Sequence, residues 1–145
     1  MNPSGKYFFQ LILLSLLLTV CEAGLFQNPI VHASVANDIG AGVDLSIHCK
    51  SADDDLGQHI LPYSGNFTFH FRPNFFGTTL FFCSFAWPNT IHRFDVYKSE
   101  RDKDLCKHQC NWSIRLAGPC LVDQADHGKE ICYNWPSPVL ISREI

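Results

Sequence analysis

The feature that most constrains this chain is the stretch of residues 66–87, in which aromatic and polar residues alternate. Phe67, Phe69 and Phe71 are each separated by one polar residue. A period of two is typical of a β-strand that buries one face and exposes the other. Residues 73–77, with a proline at one end and a glycine at the other, have the composition of a turn. We therefore predict a hairpin of two aromatic strands, the second of which lies centrally at a sheet-on-sheet interface.

Similar alternation recurs along the rest of the chain. It predicts strands at residues 30–36, 43–49, 91–97 and 110–116, and shorter ones near residues 59–61, 120–122 and 131–135. No sustained helical period follows the first two dozen residues. Short strands with frequent turn signals predict an all-β fold, a small disulfide-bridged antiparallel β-sandwich of about seven to eight strands.

The first residues have the pattern of a signal peptide. Lys6 precedes an apolar run over residues 7–20, and small residues follow at Cys21 and Ala23. This pattern predicts cleavage after Ala23. We expect residues 1–23 to be a signal peptide and residues 24–145 to form one domain. The product would be secreted and extracellular, with no membrane insertion after cleavage.

The charge balance excludes two classes of partner. The full chain has 11 basic and 14 acidic residues, and removal of Lys6 and Glu22 leaves an excess of acidic residues. Nucleic acids and anionic membranes attract basic patches. We therefore expect no nucleic-acid partner, and we expect a monomer.

Cysteine usage points to disulfides. Six cysteines follow the predicted signal peptide: Cys49, Cys83, Cys106, Cys110, Cys120 and Cys132. An even number in an exported chain is typical of a disulfide framework. Cys120 and Cys132 flank a short polar loop, so we expect them to pair. Among the other four we favour Cys49–Cys110 and Cys83–Cys106, because a Cys106–Cys110 bridge would tether nothing distant, but the sequence leaves this pairing open.

Two segments match the acceptor pattern for N-glycosylation. They are Asn66-Phe67-Thr68 and Asn111-Trp112-Ser113. In both, the asparagine falls on the polar phase of its predicted strand. We predict glycans at Asn66 and Asn111.

Metal binding and catalysis find little support. Zinc could use His48-Cys49 and residues 106–110, but the spacing does not match a closed four-ligand site, and exported thiols are oxidised. Asp53, Asp54 and Asp55 are consecutive, whereas an EF-hand calcium loop needs acidic ligands at alternate positions. No Gly-x-Ser-x-Gly motif occurs. We predict a protein that is not an enzyme and that has no cofactor and no metal.

Several motifs together carry a family resemblance. They are HCKS at 48–51 with DDDLG at 53–57, RPNFFGTTLFFCSFAW at 72–87, and CNW at 110–112. The chain resembles the plant self-incompatibility S-protein homologue family, whose founding members are stigma determinants of pollen rejection. The resemblance implies a secreted, cysteine-bridged β-sandwich that acts as a ligand rather than as an enzyme.

The resulting hypothesis is a secreted signalling ligand that binds a cell-surface receptor, with pollen as a candidate cell. Recognition residues would lie on loops of the rigid scaffold. We interpret residues 98–104 as a solvated loop and as the first candidate, and the polar loop at residues 50–56 as the second. The candidate receptor-binding residues are Arg101, Asp102, Lys103, Asp104, Asp53, Asp54 and Asp55. The alternative is a secreted defence or glycan-binding effector that uses exposed aromatic residues, namely Tyr63, Phe75 or Phe76.

Overall fold

The computed structural model describes residues 2–22, 27–123 and 128–137. These residues form two helices and nine strands. The predicted cleavage point at Ala23 lies outside them. The elements are α1 (Pro3–Glu22), β1 (Val31–Asn37), β2 (Leu45–Lys50), β3 (Asp55–Leu61), β4 (Asn66–Phe71), β5 (Leu80–Trp87), β6 (Thr90–Lys98), α2 (Ser99–Asp102), β7 (Gln109–Arg115), β8 (Gly118–Asp123) and β9 (Lys129–Cys132).

The strands form two sheets, and the predicted all-β fold is confirmed. One sheet has the order β4-β1-β7-β8-β9, and the other has the order β3-β2-β5-β6. Two details differ from the prediction. The described residues contain nine strands rather than seven to eight, and β1 pairs with β7 in parallel, so the five-stranded sheet is mixed.

The core lies between the sheets and is built from the apolar phase of each strand. Trp112 of β7 is 1% exposed, and its indole N–H donates to the Val96 carbonyl oxygen at 2.7 Å. A buried indole N–H needs such an acceptor, because an unsatisfied donor costs about 1–3 kcal/mol. As alternation predicts, β2, β5 and β7 bury Leu45, Ile47, Cys49, Phe81, Cys83, Phe85, Cys110, Trp112 and Ile114. Two expectations for β7 are wrong: Leu116, expected to point inward, lies beyond the strand and is 64% exposed, and Ser113, expected to point outward, is 5% exposed.

The predicted aromatic hairpin is wrong. β4 pairs with β1, whereas β5 pairs with β2 and β6 in the other sheet. The two aromatic strands therefore face each other across the core, where the Phe81 ring lies 5.1 Å from Phe69 and 4.5 Å from Phe71. Alternation specifies which face a strand buries, but it does not specify the partner strand. The central position predicted for β5 is confirmed, although Phe82 on its outer face is 43% exposed.

Three disulfides use all six predicted cysteines. The expected Cys120–Cys132 bridge is present and joins β8 to β9. The favoured Cys49–Cys110 and Cys83–Cys106 bridges are wrong. Cys49 and Cys83 are directly opposite each other on β2 and β5, with Cα atoms 4.0 Å apart, so they bond to each other.

The remaining bridge joins Cys106 to Cys110, whose Cα atoms lie 5.1 Å apart. The favoured long-range pairing fails because Cys49 and Cys83 are already bonded across neighbouring strands of one sheet, which leaves Cys110 to its near neighbour Cys106. This local bridge fastens the segment after α2 to the start of β7.

Candidate recognition surface

Strand directions bring several loops to the same end of the sandwich, which we call the loop end. Lys50 at the end of β2 is opposite Phe82 near the start of β5, and Leu80 is opposite Lys98 at the end of β6. The Ser99 N–H donates to the Thr79 carbonyl oxygen at 3.0 Å. The loop end therefore contains residues 51–54, 72–79 and 99–108. Both loops predicted to bind a receptor lie here.

The prediction that residues 98–104 form a solvated loop is wrong in part, because Asp102 is buried. Residues 99–102 form the short helix α2, and Asp102 is 0% exposed. Its carboxylate accepts the Lys98 backbone N–H at 2.8 Å and two N–H groups of Arg101, each at 2.7 Å. A buried carboxylate is tolerated when it is paired and hydrogen-bonded in this way. Asp102 is therefore a structural residue and cannot contact a receptor.

Arg101 is held just as firmly. Its guanidinium carbon lies 5.0 Å from the ring centre of Phe94, 5.1 Å from Trp112 and 5.3 Å from Tyr133. It also donates to the Asp95 carbonyl oxygen at 2.6 Å. Contacts between a cation and an aromatic face contribute about 0.5–2 kcal/mol. Arg101 thus fixes the loop to the sandwich, and its guanidinium is already occupied.

The next two charged residues point outward. Lys103 and Asp104 are both exposed. Lys103 borders a groove that is also lined by Phe75 and Phe76, whereas Asp104 borders a second groove with Lys129 of β9. These two residues keep the predicted role as candidates.

The most exposed aromatic residues of the sandwich also lie at the loop end. Phe75 is 70% exposed and Phe76 is 85% exposed. The turn that carries them is held by Asn74, whose side chain accepts the Thr78 N–H at 2.9 Å and donates to the Thr78 hydroxyl at 2.7 Å. Such local hydrogen bonds fix a turn without a core beneath it. Sequence analysis named these phenylalanines as exposed residues, which the structure confirms, but considered them only for glycan binding.

Tyr63, the third aromatic candidate, lies at the opposite end. Its turn joins β3 to β4, and the neighbouring Ser64 N–H donates to the Asn37 carbonyl oxygen at 2.8 Å. Asn37 is the last residue of β1, whose first residue is at the loop end. Tyr63 is 48% exposed but cannot share a binding surface with Phe75 and Phe76.

The three consecutive aspartates have different surroundings. Asp55 contacts the His48 imidazole at 2.5 Å and the Lys50 ammonium at 3.2 Å. The hydrogen bond from His48, together with those from the Gly57 N–H and Lys50, lowers the pKa of Asp55 below its ordinary value. Asp53 and Asp54 are exposed at the loop end. They remain candidates, whereas Asp55 is engaged on the sheet surface.

The predicted glycosylation positions have the expected strand phase. Asn66 is exposed at the start of β4, and Asn111 is half-buried on β7. The Asn111 side-chain oxygen accepts a hydrogen bond from the Gln109 amide at 2.9 Å. Glycan attachment at Asn66 and Asn111 stays a prediction.

One group of three potential metal donors with closely spaced ligand atoms occurs in the described residues, at Cys120, Glu130 and Cys132. The two cysteines are bonded to each other. Metal binding by cysteine needs the thiolate, so the oxidised site has no sulfur ligand to offer.

Residues 3–20 of helix α1 are exposed and contribute nothing to the core of the sandwich. Residues 3–20 are long and apolar enough to cross a membrane and are not buried by the rest of the chain. A signal sequence near the amino terminus has the same properties. The helix is thus compatible with the predicted signal peptide.

Comparison with known proteins agrees with the fold. The family model described as plant self-incompatibility protein S1 matches residues 32–135. The chain is 45% identical over 104 residues to S-protein homolog 3 of Arabidopsis thaliana, with 70% of this chain and 69% of that protein covered. It is 38% identical over 138 residues to S-protein homolog 29 of the same plant, with 93% and 99% covered.

A solved structure has a similar fold. It is described as a self-incompatibility protein homologue (SPH) from a widespread family of small, highly stable, secreted proteins from plants. The TM-score is 0.58 at 17% identity, over 76% of this chain and 97% of that one. The expected localisation agrees with this description and with the apolar helix α1. The chain belongs to the plant self-incompatibility S1 family and is a disulfide-bridged β-sandwich.

Proposed function

We propose that this protein is a signalling ligand, not an enzyme, and that its loop end binds a cell-surface receptor. The observation that carries the proposal is the exposure of Phe75 and Phe76 on a turn that is fixed by its own side chains. Exposed aromatic residues on a rigid support are typical of the centre of a protein interface, because they bury a large area at low entropic cost.

Charges surround these aromatic residues in a mixed pattern. Lys103 and Lys107 border the same groove as Phe75 and Phe76, and the exposed Asp53 and Asp54 lie on the neighbouring loop. Mixed charges at the rim of an interface favour specific partners over bulk adhesion, since a mismatched partner brings like charges together. This supports recognition of one receptor rather than attachment to any charged surface.

Binding to living cells tests the proposal. Fluorescently labelled, oxidised protein without residues 1–23 is applied to pollen tubes of several genotypes and to leaf protoplasts. We expect saturable binding to at least one cell type. The double substitution Phe75→Ser and Phe76→Ser should reduce affinity at least about tenfold, as for central aromatic residues of interfaces, and Lys103→Glu should reduce it less.

Tyr63→Ser is the matched control, because it removes an exposed aromatic residue from the opposite end. Circular dichroism spectra and urea midpoints of all variants should match those of the wild type. Undiminished binding by the Phe75 and Phe76 variant would refute the loop end as the binding surface. Arrest of pollen tubes of only some genotypes would add an allele-specific role in pollen recognition.

The alternative is a secreted defence or glycan-binding effector, and the same phenylalanines support it. Aromatic faces stack on apolar sugar faces as well as on protein. A glycan array separates the two functions. Binding to a defined glycan, lost in the Phe75 and Phe76 variant, would favour the effector over the receptor ligand.

A further inference from the structure

We propose that His32 and His70 form a binding site for a divalent transition-metal ion such as Zn²⁺ or Cu²⁺. The two residues lie on β1 and β4 and are directly opposite each other in the antiparallel register. Directly opposite side chains on neighbouring strands have Cβ atoms about 4.5–5.5 Å apart and point to the same side of the sheet. Both histidines lie on the outer face and are exposed.

The distance between the imidazoles suits a shared cation. Their ring centroids are 5.8 Å apart, with an interplanar angle of 39°. An imidazole nitrogen binds Zn²⁺ at about 2.0–2.1 Å, so two rings on one tetrahedral ion have centroids about 5 Å apart. Small rotations of the two exposed side chains would shorten the distance between the ring centroids to this value without movement of the backbone.

Neither imidazole has another structural role. In the described part of the chain, His32 and His70 contact each other and make no side-chain hydrogen bond or ion pair. Three other histidines differ in this respect. His48 bonds to Asp55, His59 bonds to the Leu56 carbonyl oxygen, and His92 stacks on Trp135 at 4.5 Å.

The chemistry of the pair selects the class of ion. Neutral imidazole suits Zn²⁺, Ni²⁺ and Cu²⁺, whereas Ca²⁺ and Mg²⁺ prefer oxygen ligands. Two protein ligands leave the remaining coordination positions to water or to a donor from a partner molecule. The groove beside His70 is also lined by Asp53, Asp54 and Arg72, so that two carboxylates face one guanidinium and the net charge there is negative. Sequence analysis missed the site because only strand pairing brings the two histidines together.

Calorimetry with ZnCl₂ and CuCl₂ tests the site on the oxidised protein produced without a polyhistidine tag. We expect one ion per chain at this site. His32→Gln and His70→Gln should each weaken binding more than about tenfold, since loss of even a supporting residue of a metal site costs 10–100-fold. His48→Gln is the matched control and should leave the affinity unchanged.

A second measurement locates the ion in the unmodified protein, so that the test does not depend on the folding of variants. Substoichiometric Cu²⁺ should broaden the NMR signals of the His32 and His70 rings first. The proposal is overturned if no ion binds, if both glutamine variants bind as the wild type does, or if broadening is centred on another histidine.

Discussion

Two consecutive pairs of opposite charges, Arg101–Asp102 and Lys103–Asp104, have the same order of charges and opposite roles. The first pair is anchored to the sandwich, with Asp102 fully buried and Arg101 against three aromatic rings. The second pair is exposed at the loop end. Adjacent residues thus serve as an anchor and as a candidate binding surface, and the sign of their charges does not distinguish them.

The two pairs show that a buried charge determines the stability of the fold, whereas an exposed charge is available to a binding partner. A buried carboxylate without its partners would be strongly unfavourable, so Asp102 must remain paired for the loop to keep its shape. An exposed charge costs little to change and gains its value from a partner molecule. A simultaneous reversal of Asp102, Lys103 and Asp104 would therefore disrupt the fold as well as any binding, and only changes confined to the second pair test recognition.

We expect the largest loss in the free energy of unfolding for Asp102→Ala. The change leaves the Arg101 guanidinium and the Lys98 N–H without their acceptor, and breaking a buried pair in this way costs about 3–5 kcal/mol. Urea unfolding of the oxidised protein measures the loss. Asp104→Ala is the control and should change the free energy of unfolding by less than about 0.5 kcal/mol. Equal losses in the two variants would show that the first pair is not an anchor.

A smaller effect is expected for Arg101→Lys. Lysine keeps the positive charge but lacks the planar group that donates to both Asp102 and Asp95 and stacks on the aromatic rings. We expect a loss of about 1.5–3 kcal/mol, the usual value of a hydrogen bond to a charged group. Lys103→Arg, the converse change on the exposed pair, should leave the urea midpoint where it is. A stable Arg101→Lys variant would mean that charge alone holds the loop.

The smallest effect concerns a third carboxylate, that of Asp55, which is paired but exposed. Its pKa in the folded protein is lowered, chiefly by the hydrogen bond from His48. The stabilisation is therefore present above the ordinary aspartate pKa of about 3.9 and is lost as the pH falls below it. The difference in unfolding free energy between wild type and Asp55→Asn should shrink between about pH 5 and pH 2. A difference that stays constant with pH would contradict the assigned ion pair.

The sequence predicted the buried face of a strand better than it predicted which strand lies beside it. The alternation of residues correctly identified the buried side of β2, β5 and β7, because side-chain direction in a strand depends only on local sequence position. The same alternation assigned β4 and β5 to one hairpin, and they lie in different sheets. Strand partners depend on residues distant in the chain, which periodicity does not report.

At the candidate site, too, the local sequence predicted some properties and contacts with distant segments decided the others. Sequence analysis selected the loop of residues 98–104 from its charge, and the exposed Lys103 and Asp104 remain candidates. It could not separate them from Arg101 and Asp102, because burial depends on the rings of Phe94, Trp112 and Tyr133, which belong to three other segments.

The sequence by itself determined the strand phases, the all-β class, the family and the use of six cysteines in disulfides. These properties follow from residue type and from spacing along one segment. The tertiary structure alone decided that Cys49 bonds to Cys83, that Asp102 is buried, and that His32 lies opposite His70. The physical reason is that each of these contacts joins segments whose register is set by packing across the whole sandwich.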